Sequence, residues 1–169
     1  MEKVKEHSGE TATANRPSDP MVITRVFDAR PERIWRAWTD ENEVKKWWGP
    51  NDYSSPSCNI EARVGGRFLA SMRGPDGKET WSTGTYKEMV PNRRIVVTDS
   101  FSDEKGNVID AADAGMPGDW PRELLVTIDF EEQQGKTKMT PRHEGLPAEM
   151  KEPCRQGWSQ SFDKMDAIL

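Results

Sequence analysis

The sequence predicts an α+β domain in which a curved antiparallel sheet of about six to seven strands wraps around a long C-terminal helix. Through the middle of the chain, apolar residues recur at every second position between turn-forming residues, as in hairpin-linked strands. Residues 147–169 instead place Trp158, Phe162, Met165 and Leu169 at helical spacing. The apolar face of such a sheet must be covered, and only this helix is long enough to cover it. The resulting fold is a helix-grip, with a space between helix and sheet.

The first predicted elements are one strand and two short helices. Residues 21–27 are rich in β-branched side chains, which favour a strand. Pro31 suits the first turn of a helix, because its missing N–H group needs no partner there. Asp40 resembles the cap of a second short helix, and Gly49, followed by a proline, is typical of a helix end.

The alternating pattern then predicts the remaining strands and their turns. The segments are 58–62, 68–72, 79–89, 95–101, 124–130 and 136–143. Asp76-Gly77 is a hairpin signal between the second and third of these segments. Residues 102–121 form a long connection rich in Gly, Asp and Pro, which we interpret as a lid over a cavity mouth.

Composition restricts the classes of partner. The chain has 169 residues, which suits one domain, and its 24 basic and 29 acidic residues give a net charge of −5. This balance argues against a nucleic-acid partner, because phosphate affinity comes from clustered Lys and Arg. No apolar run approaches the roughly 20 residues of a membrane span. Cys58 and Cys154 match neither a disulfide scaffold nor a metal spacing, and nothing predicts a cofactor.

The chain divides into a tail and one domain. Residues 1–20 contain very few apolar residues, which predicts a disordered N-terminal tail, and residues 21–169 form the domain. The tail has no apolar core of the kind that a signal peptide carries, so we expect a cytoplasmic protein. Residues 103–132 hold nine acidic and two basic residues, a net charge of −7, which we interpret as a solvated surface.

Several short strings carry a resemblance to a known family. They include KWWGP at 46–50, VGGRF at 64–68, GTYKE at 84–88, HEGLP at 143–147 and GWSQSFDKM at 157–165. In this order they resemble the SRPBCC (START-like) superfamily, in the branch named for similarity to the activator of the ninety-kilodalton heat-shock chaperone ATPase. The resemblance covers residues 21–169 and implies the helix-grip fold with an internal hydrophobic cavity. It implies less about activity, since members bind lipids, hormones or polyketides and only some catalyse a reaction.

Pro141 departs from the pattern of the family, which has a strand-forming residue at this place. A proline inside a sheet removes a ladder hydrogen bond. We therefore expect either a bulge at Pro141 or the end of the strand before Arg142, which leaves the orientation of Arg142 and His143 open.

The aromatic residues and a few polar ones are the candidates for the cavity wall. The candidates are Trp47, Trp48, Phe68, Met72, Trp81, Tyr86, Asp99, Phe101, His143, Trp158 and Phe162. We expect Trp35 and Trp38 to fill the core instead. A helix cannot bury both Trp47 and Trp48 on one narrow stripe, so we expect one of the two at the cavity mouth.

Three titratable groups raise the question of chemistry. Asp99 is in phase with apolar residues of its strand, so its carboxylate could hold or deprotonate a ligand. Arg25 is placed in the same way on the first strand, and pairing of Arg25 with Asp99 stays open. His143 could act as an acid or a base, but a structural role is the preferred interpretation. Cys154 is interpreted as a small buried apolar residue.

Three functions are compatible with these patterns. The favoured one is binding of a small hydrophobic molecule in the cavity without a cofactor. The second is a cofactor-independent enzyme that uses Asp99 or His143 as its acid or base. The third is an interaction module like the chaperone activator, which would need a large exposed apolar patch. A homodimer stays open, and no residue pattern proves a chaperone partner.

Overall fold

The computed structural model describes residues 19–169, so the predicted tail lies outside the described residues except for its last two. Within that range the chain forms eight strands and three α-helices. They are β1 (Met21–Val22), β2 (Arg25–Phe27), α1 (Pro31–Thr39), α2 (Glu41–Trp47), β3 (Cys58–Ile60), β4 (Arg67–Arg73), β5 (Glu79–Val90), β6 (Arg94–Ser102), β7 (Leu124–Gln133), β8 (Lys136–Glu144) and α3 (Lys151–Asp166). The α+β helix-grip prediction is confirmed. None of the helices in this part of the chain is long and apolar enough to cross a membrane.

All strands belong to one antiparallel sheet in the order β1-β8-β7-β6-β5-β4-β3, and β2 also pairs with β8. The single first strand that the sequence predicts is therefore split in two. The break lies opposite Pro141, whose carbonyl oxygen accepts a hydrogen bond of 3.0 Å from the N–H group of Ile23. The return bond of this pair cannot form, because proline has no N–H group to donate.

Pro141 does not disturb its own strand. The expectations of a bulge at Pro141 or a strand end before Arg142 were therefore both wrong. β8 continues to Glu144, and its register with β7 is regular, with Ile128 opposite Pro141. The missing N–H group faces the edge formed by β1 and β2, so only that neighbour is interrupted. His143 consequently stays in phase with the buried residues of β8 and reaches the inner face of the sheet.

Local signals position the two short helices as expected. Pro31 is the first residue of α1, and the Asp40 carboxylate caps α2 by accepting hydrogen bonds from the N–H groups of Asn42 (2.8 Å) and Glu43 (3.3 Å). Gly49 follows α2 with a φ of 103°, a conformation that favours glycine.

The core lies between the inner face of the sheet and the helices. Val126, Ile128 and Phe130 of β7 belong to one buried cluster with Phe162 and Met165 of α3. The C-terminal helix thus covers the apolar face of the sheet, as the sequence predicts. Leu124, the first residue of β7, belongs to a smaller cluster with Met21 and Leu146, against which Trp158 of α3 also packs.

The pair formed by Trp38 and Trp47 fills the corner between α1 and α2. Their ring centroids are 4.7 Å apart, and Nε1 of Trp47 donates a 2.9 Å hydrogen bond to the carbonyl of Ala37. Both side chains are buried, which agrees with the core role expected for Trp38. Trp35 is half-buried and contacts the ring of Phe130 edge to face.

Candidate functional site

A cavity of about 330 Å³ lies between the inner face of the sheet, α3 and the loop that joins β6 to β7. Strand residues such as Ser82 and Phe101 form its floor, Trp158 of α3 forms one wall, and Met116 and Trp120 of the loop border its mouth. Most of the lining side chains are aromatic or aliphatic. Size and lining are those of a site for a small organic molecule.

A smaller recess of about 40 Å³ extends from this cavity toward β3 and α2. Three residues, Trp48, Asp99 and Trp158, line both spaces and therefore form the partition between them. The rings of Trp48 and Trp158 meet edge to face, with centroids 5.6 Å apart. The recess holds little more than water, so an organic ligand fits only the larger cavity.

The polar part of the cavity is built on His143. Its Nδ1 accepts a 3.2 Å hydrogen bond from Nε1 of Trp158. Because an indole N–H group can only donate, Nδ1 must carry a lone pair, and the proton of the imidazole is on Nε2. Nε2 lies 3.3 Å from Oδ2 of Asp99, at ion-pair distance but without hydrogen-bond alignment. Both nitrogens of the ring thus face protein groups.

This geometry favours a positioning role for His143. A general acid or base must present a nitrogen to the reacting atoms, but Nδ1 of His143 is occupied by the Trp158 indole and Nε2 lies beside the Asp99 carboxylate. The Asp99 carboxylate, with 24% of its side chain exposed, is the more accessible member of the pair.

Further buried polar atoms at the cavity have no hydrogen-bond partner among residues 19–169. They are Nε1 of Trp48 and Oγ of Ser82, besides Nε2 of His143. Such atoms nearly always have a partner in native proteins. Their residues line the same cavity, so a ligand there has polar groups with which to pair.

The lid is held by its own hydrogen bonds and by one aromatic contact. Nε1 of Trp120 donates a 2.7 Å hydrogen bond to the carbonyl of Pro117, and the ring of Trp120 meets Phe101 edge to face at 5.2 Å. The guanidinium group of Arg122 donates to the Val108 carbonyl and pairs with the Asp110 carboxylate. These contacts place an indole at the cavity mouth.

The structure brings most of the predicted wall together. Trp48, Met72, Asp99, Phe101, His143 and Trp158 line the cavity, and Phe68 and Tyr86 line the recess. Trp47 and Phe162 lie behind the wall, since both are fully buried and pack on its residues. Of the adjacent pair, Trp48 is thus the one at the cavity.

Trp81 does not line the cavity, contrary to the prediction, and Ser82 is one of several lining residues that were not predicted; Tyr53, Thr80, Met150 and Ser161 are others. Successive side chains of a strand point to opposite faces. Thr80 and Ser82 line the cavity, so Trp81 lies on the outer face of β5. The prediction placed both Trp81 and Tyr86 on the cavity wall, but residues five apart in a regular strand point to opposite faces. The register shift of β5 begins only after Tyr86, so only one of the two can face the cavity.

The structure also decides the question left open for Arg25. Its guanidinium group pairs with the carboxylate of Asp163 and donates a 3.1 Å hydrogen bond to the carbonyl of Ser159, both on α3. The Asp99 carboxylate is paired with His143 instead. Arg25 therefore ties the sheet edge to α3 and takes no part in the cavity.

Cys154 lines the cavity, and its environment suppresses its reactivity. Burial, the main cause, and the negative charge of Asp99, the smaller one, together raise the pKa of the Cys154 thiol to about 11. Since the thiolate is the reactive form, the expectation of an inert apolar residue agrees with this environment.

We predict that Cys154 reacts with iodoacetamide at pH 8 at least tenfold more slowly in the folded protein than in the denatured chain. The raised pKa leaves little thiolate at that pH. The Asp99→Asn variant should react faster, because it removes the charge that opposes ionisation. Peptide mass spectrometry separates Cys154 from Cys58, and equal rates in the wild-type protein and Asp99→Asn would contradict an effect of the Asp99 charge on the thiol.

Comparisons with known proteins agree with the fold. The family model described as Activator of Hsp90 ATPase homolog 1-like protein matches residues 28–169. The chain is 23% identical over 148 residues to the human activator of 90 kDa heat shock protein ATPase homolog 1, covering 86% of this chain and 35% of the human protein. The chain thus spans about a third of the length of that relative.

Solved bacterial structures are similar over nearly their whole length. A protein of Chromobacterium violaceum superposes with a TM-score of 0.72 at 30% identity, covering 89% of this chain and 96% of the other. A protein of Mycobacterium smegmatis gives a TM-score of 0.75 at 25% identity, covering 94% and 96%. With the family model matching most of the chain, this protein belongs to the Activator of Hsp90 ATPase homolog 1-like family of START-like domains.

Proposed function

We propose that this protein binds a small, mainly hydrophobic molecule in the cavity between the sheet and α3. The observation that carries the proposal is the cavity itself, which offers about 330 Å³ of largely apolar space beside a buried polar group. Apolar contact supplies the affinity, and a few polar atoms orient the molecule. As a residue of the lid at the cavity mouth, Trp120 controls access to the site.

The surface offers less support for a chaperone-activator role. In the described part of the chain, the exposed large hydrophobic residues are Tyr53 and five valines, spread over separate strands and loops. Single exposed apolar side chains are normal for a monomer. The relative that carries the activator name shares 23% identity and is much longer than this chain.

We predict saturable binding of prodan, a neutral naphthalene dye whose emission responds to polarity, at about one site per chain. Ser82→Leu fills the cavity floor without removing a core side chain, and it should weaken the dye affinity at least tenfold. Trp120→Ala should mainly change the rate at which the dye binds, because a lid residue governs access.

The matched control is Trp81→Phe on the opposite face of β5, which should leave the dye affinity unchanged within twofold. Circular dichroism melting checks that each variant is folded. Absence of saturable binding in the folded wild-type protein would overturn the cavity proposal and favour a surface interaction.

A further inference from the structure

In the part of the chain that the structure describes, the wall of the larger cavity carries a negative charge and no positive charge from lysine or arginine. Among the described residues that line the larger cavity, Asp99 is the only aspartate or glutamate, and no lysine or arginine is present. Most of the remaining wall is aromatic or aliphatic. A ligand carboxylate or phosphate would meet a negative charge there and no cation to offset it.

His143 does not neutralise Asp99. The Trp158 indole can only donate, so its hydrogen bond to Nδ1 requires an imidazole without a proton on that nitrogen. An imidazolium would present N–H groups on both sides and would lose the bond to Trp158. While this bond is intact, His143 therefore places no positive charge beside the Asp99 carboxylate.

Lys164 supplies no counter-charge within the wall. Its ammonium group donates 3.2 Å hydrogen bonds to the carbonyl oxygens of Pro50 and Tyr53, two residues that line the cavity. Lys164 itself is not among the lining residues, and the two carbonyls hold its Nζ at the rim.

Aromatic rings form much of the wall of the cavity that Asp99 lines. They belong to Trp48, Tyr53, Phe101, Trp120 and Trp158. The face of an indole or phenol ring attracts an organic cation, and the attraction increases where water is excluded. A carboxylate beside several aromatic rings is a combination that recognises an ammonium group.

The negative net charge of the lid is a second, independent feature that favours a cation. The β6–β7 loop, residues 103–123, holds six acidic and two basic residues, a net charge of −4. Two of its residues, Met116 and Trp120, border the mouth of the cavity. A negative potential around a mouth raises the local concentration of cations and speeds their arrival.

We propose that the molecule bound in this cavity is an organic cation, with an apolar body and an ammonium group that pairs with the Asp99 carboxylate among the aromatic rings. This inference rests on the proposed binding function and specifies the ligand class. The apolar body fills the space beside Met72 and Met116. The acidic lid attracts the cation, and the Trp158–His143 hydrogen bond leaves no imidazolium to pair with Asp99.

The test uses three probes with one body and different heads: 4-phenylbutylammonium, 4-phenylbutan-1-ol and 4-phenylbutyrate. Each displaces prodan from the full-length protein at pH 7 and low salt. We expect the ammonium probe to bind at least tenfold more tightly than the alcohol, and the carboxylate probe to bind most weakly. In Asp99→Asn the ammonium probe should lose this preference, while the Kd of the alcohol changes less than twofold.

Asp166→Asn is the matched control, because it removes one exposed carboxylate at the end of α3, outside the cavity. It should keep the preference for the ammonium probe. Equal binding of the three probes to the wild-type protein, or a preference that survives in Asp99→Asn, would overturn the cation proposal and leave the binding function standing. Failure of prodan and all three probes to bind would overturn both.

Discussion

Gly84→Ala is expected to lower the free energy of unfolding by about 3 kcal/mol or more, or to prevent folding. A Cβ atom at Gly84 would lie 1.7 Å from the carbonyl oxygen of Thr98 and 2.6 Å from Cε1 of Phe68. The first of these atoms belongs to the backbone of the neighbouring strand β6, so it cannot move aside without breaking the sheet. Chemical denaturation at 25 °C measures the effect.

Gly157→Ala is the matched control for this prediction. Gly157 lies in α3, and a Cβ atom there would meet nothing within 4 Å. Alanine is favoured over glycine inside a helix by about 1 kcal/mol, so this variant should be as stable as the wild-type protein or more stable. If Gly84→Ala were equally stable, the close approach of β5 and β6 at this point would be wrong.

Phe162→Ala is expected to lower the free energy of unfolding by about 3–5 kcal/mol, since Phe162 is fully buried and its replacement leaves a large cavity. Its ring stacks on Trp158 at 5.5 Å and contacts Trp38 and Trp47 at about 6 Å, so truncation also loosens these indoles. The loss should appear as a lower denaturation midpoint and a change in tryptophan emission.

Two further substitutions separate a core effect from a helix effect. Phe162→Leu keeps most of the buried volume and should cost about 1.5 kcal/mol or less. Gln156→Ala, at an exposed position of the same helix, should change stability by about 0.5 kcal/mol or less. A neutral result for Phe162→Ala would mean that α3 does not pack on the sheet as described.

The candidate site was only partly predictable from sequence. Alternation placed Asp99 in phase with Phe101, and both line the cavity. It also placed Trp81 and Ser82 on opposite faces. The prediction chose Trp81 for the cavity wall because it is aromatic, whereas Ser82 is the one that lines the cavity. Identity of a side chain says little about its direction until the phase of the whole strand is known.

The amino-acid sequence by itself determined the elements whose cause is local. The proline at the start of α1, the Asp40 cap of α2 and the two-residue period of β7 act over a few neighbouring residues, so they can be recognised in isolation. Tertiary structure alone decided the break opposite Pro141, the partition by Trp48, and the pairing of Asp99 with His143 rather than with Arg25. These depend on strand register and helix docking, which join residues far apart in the chain and are set by the packing of the whole domain.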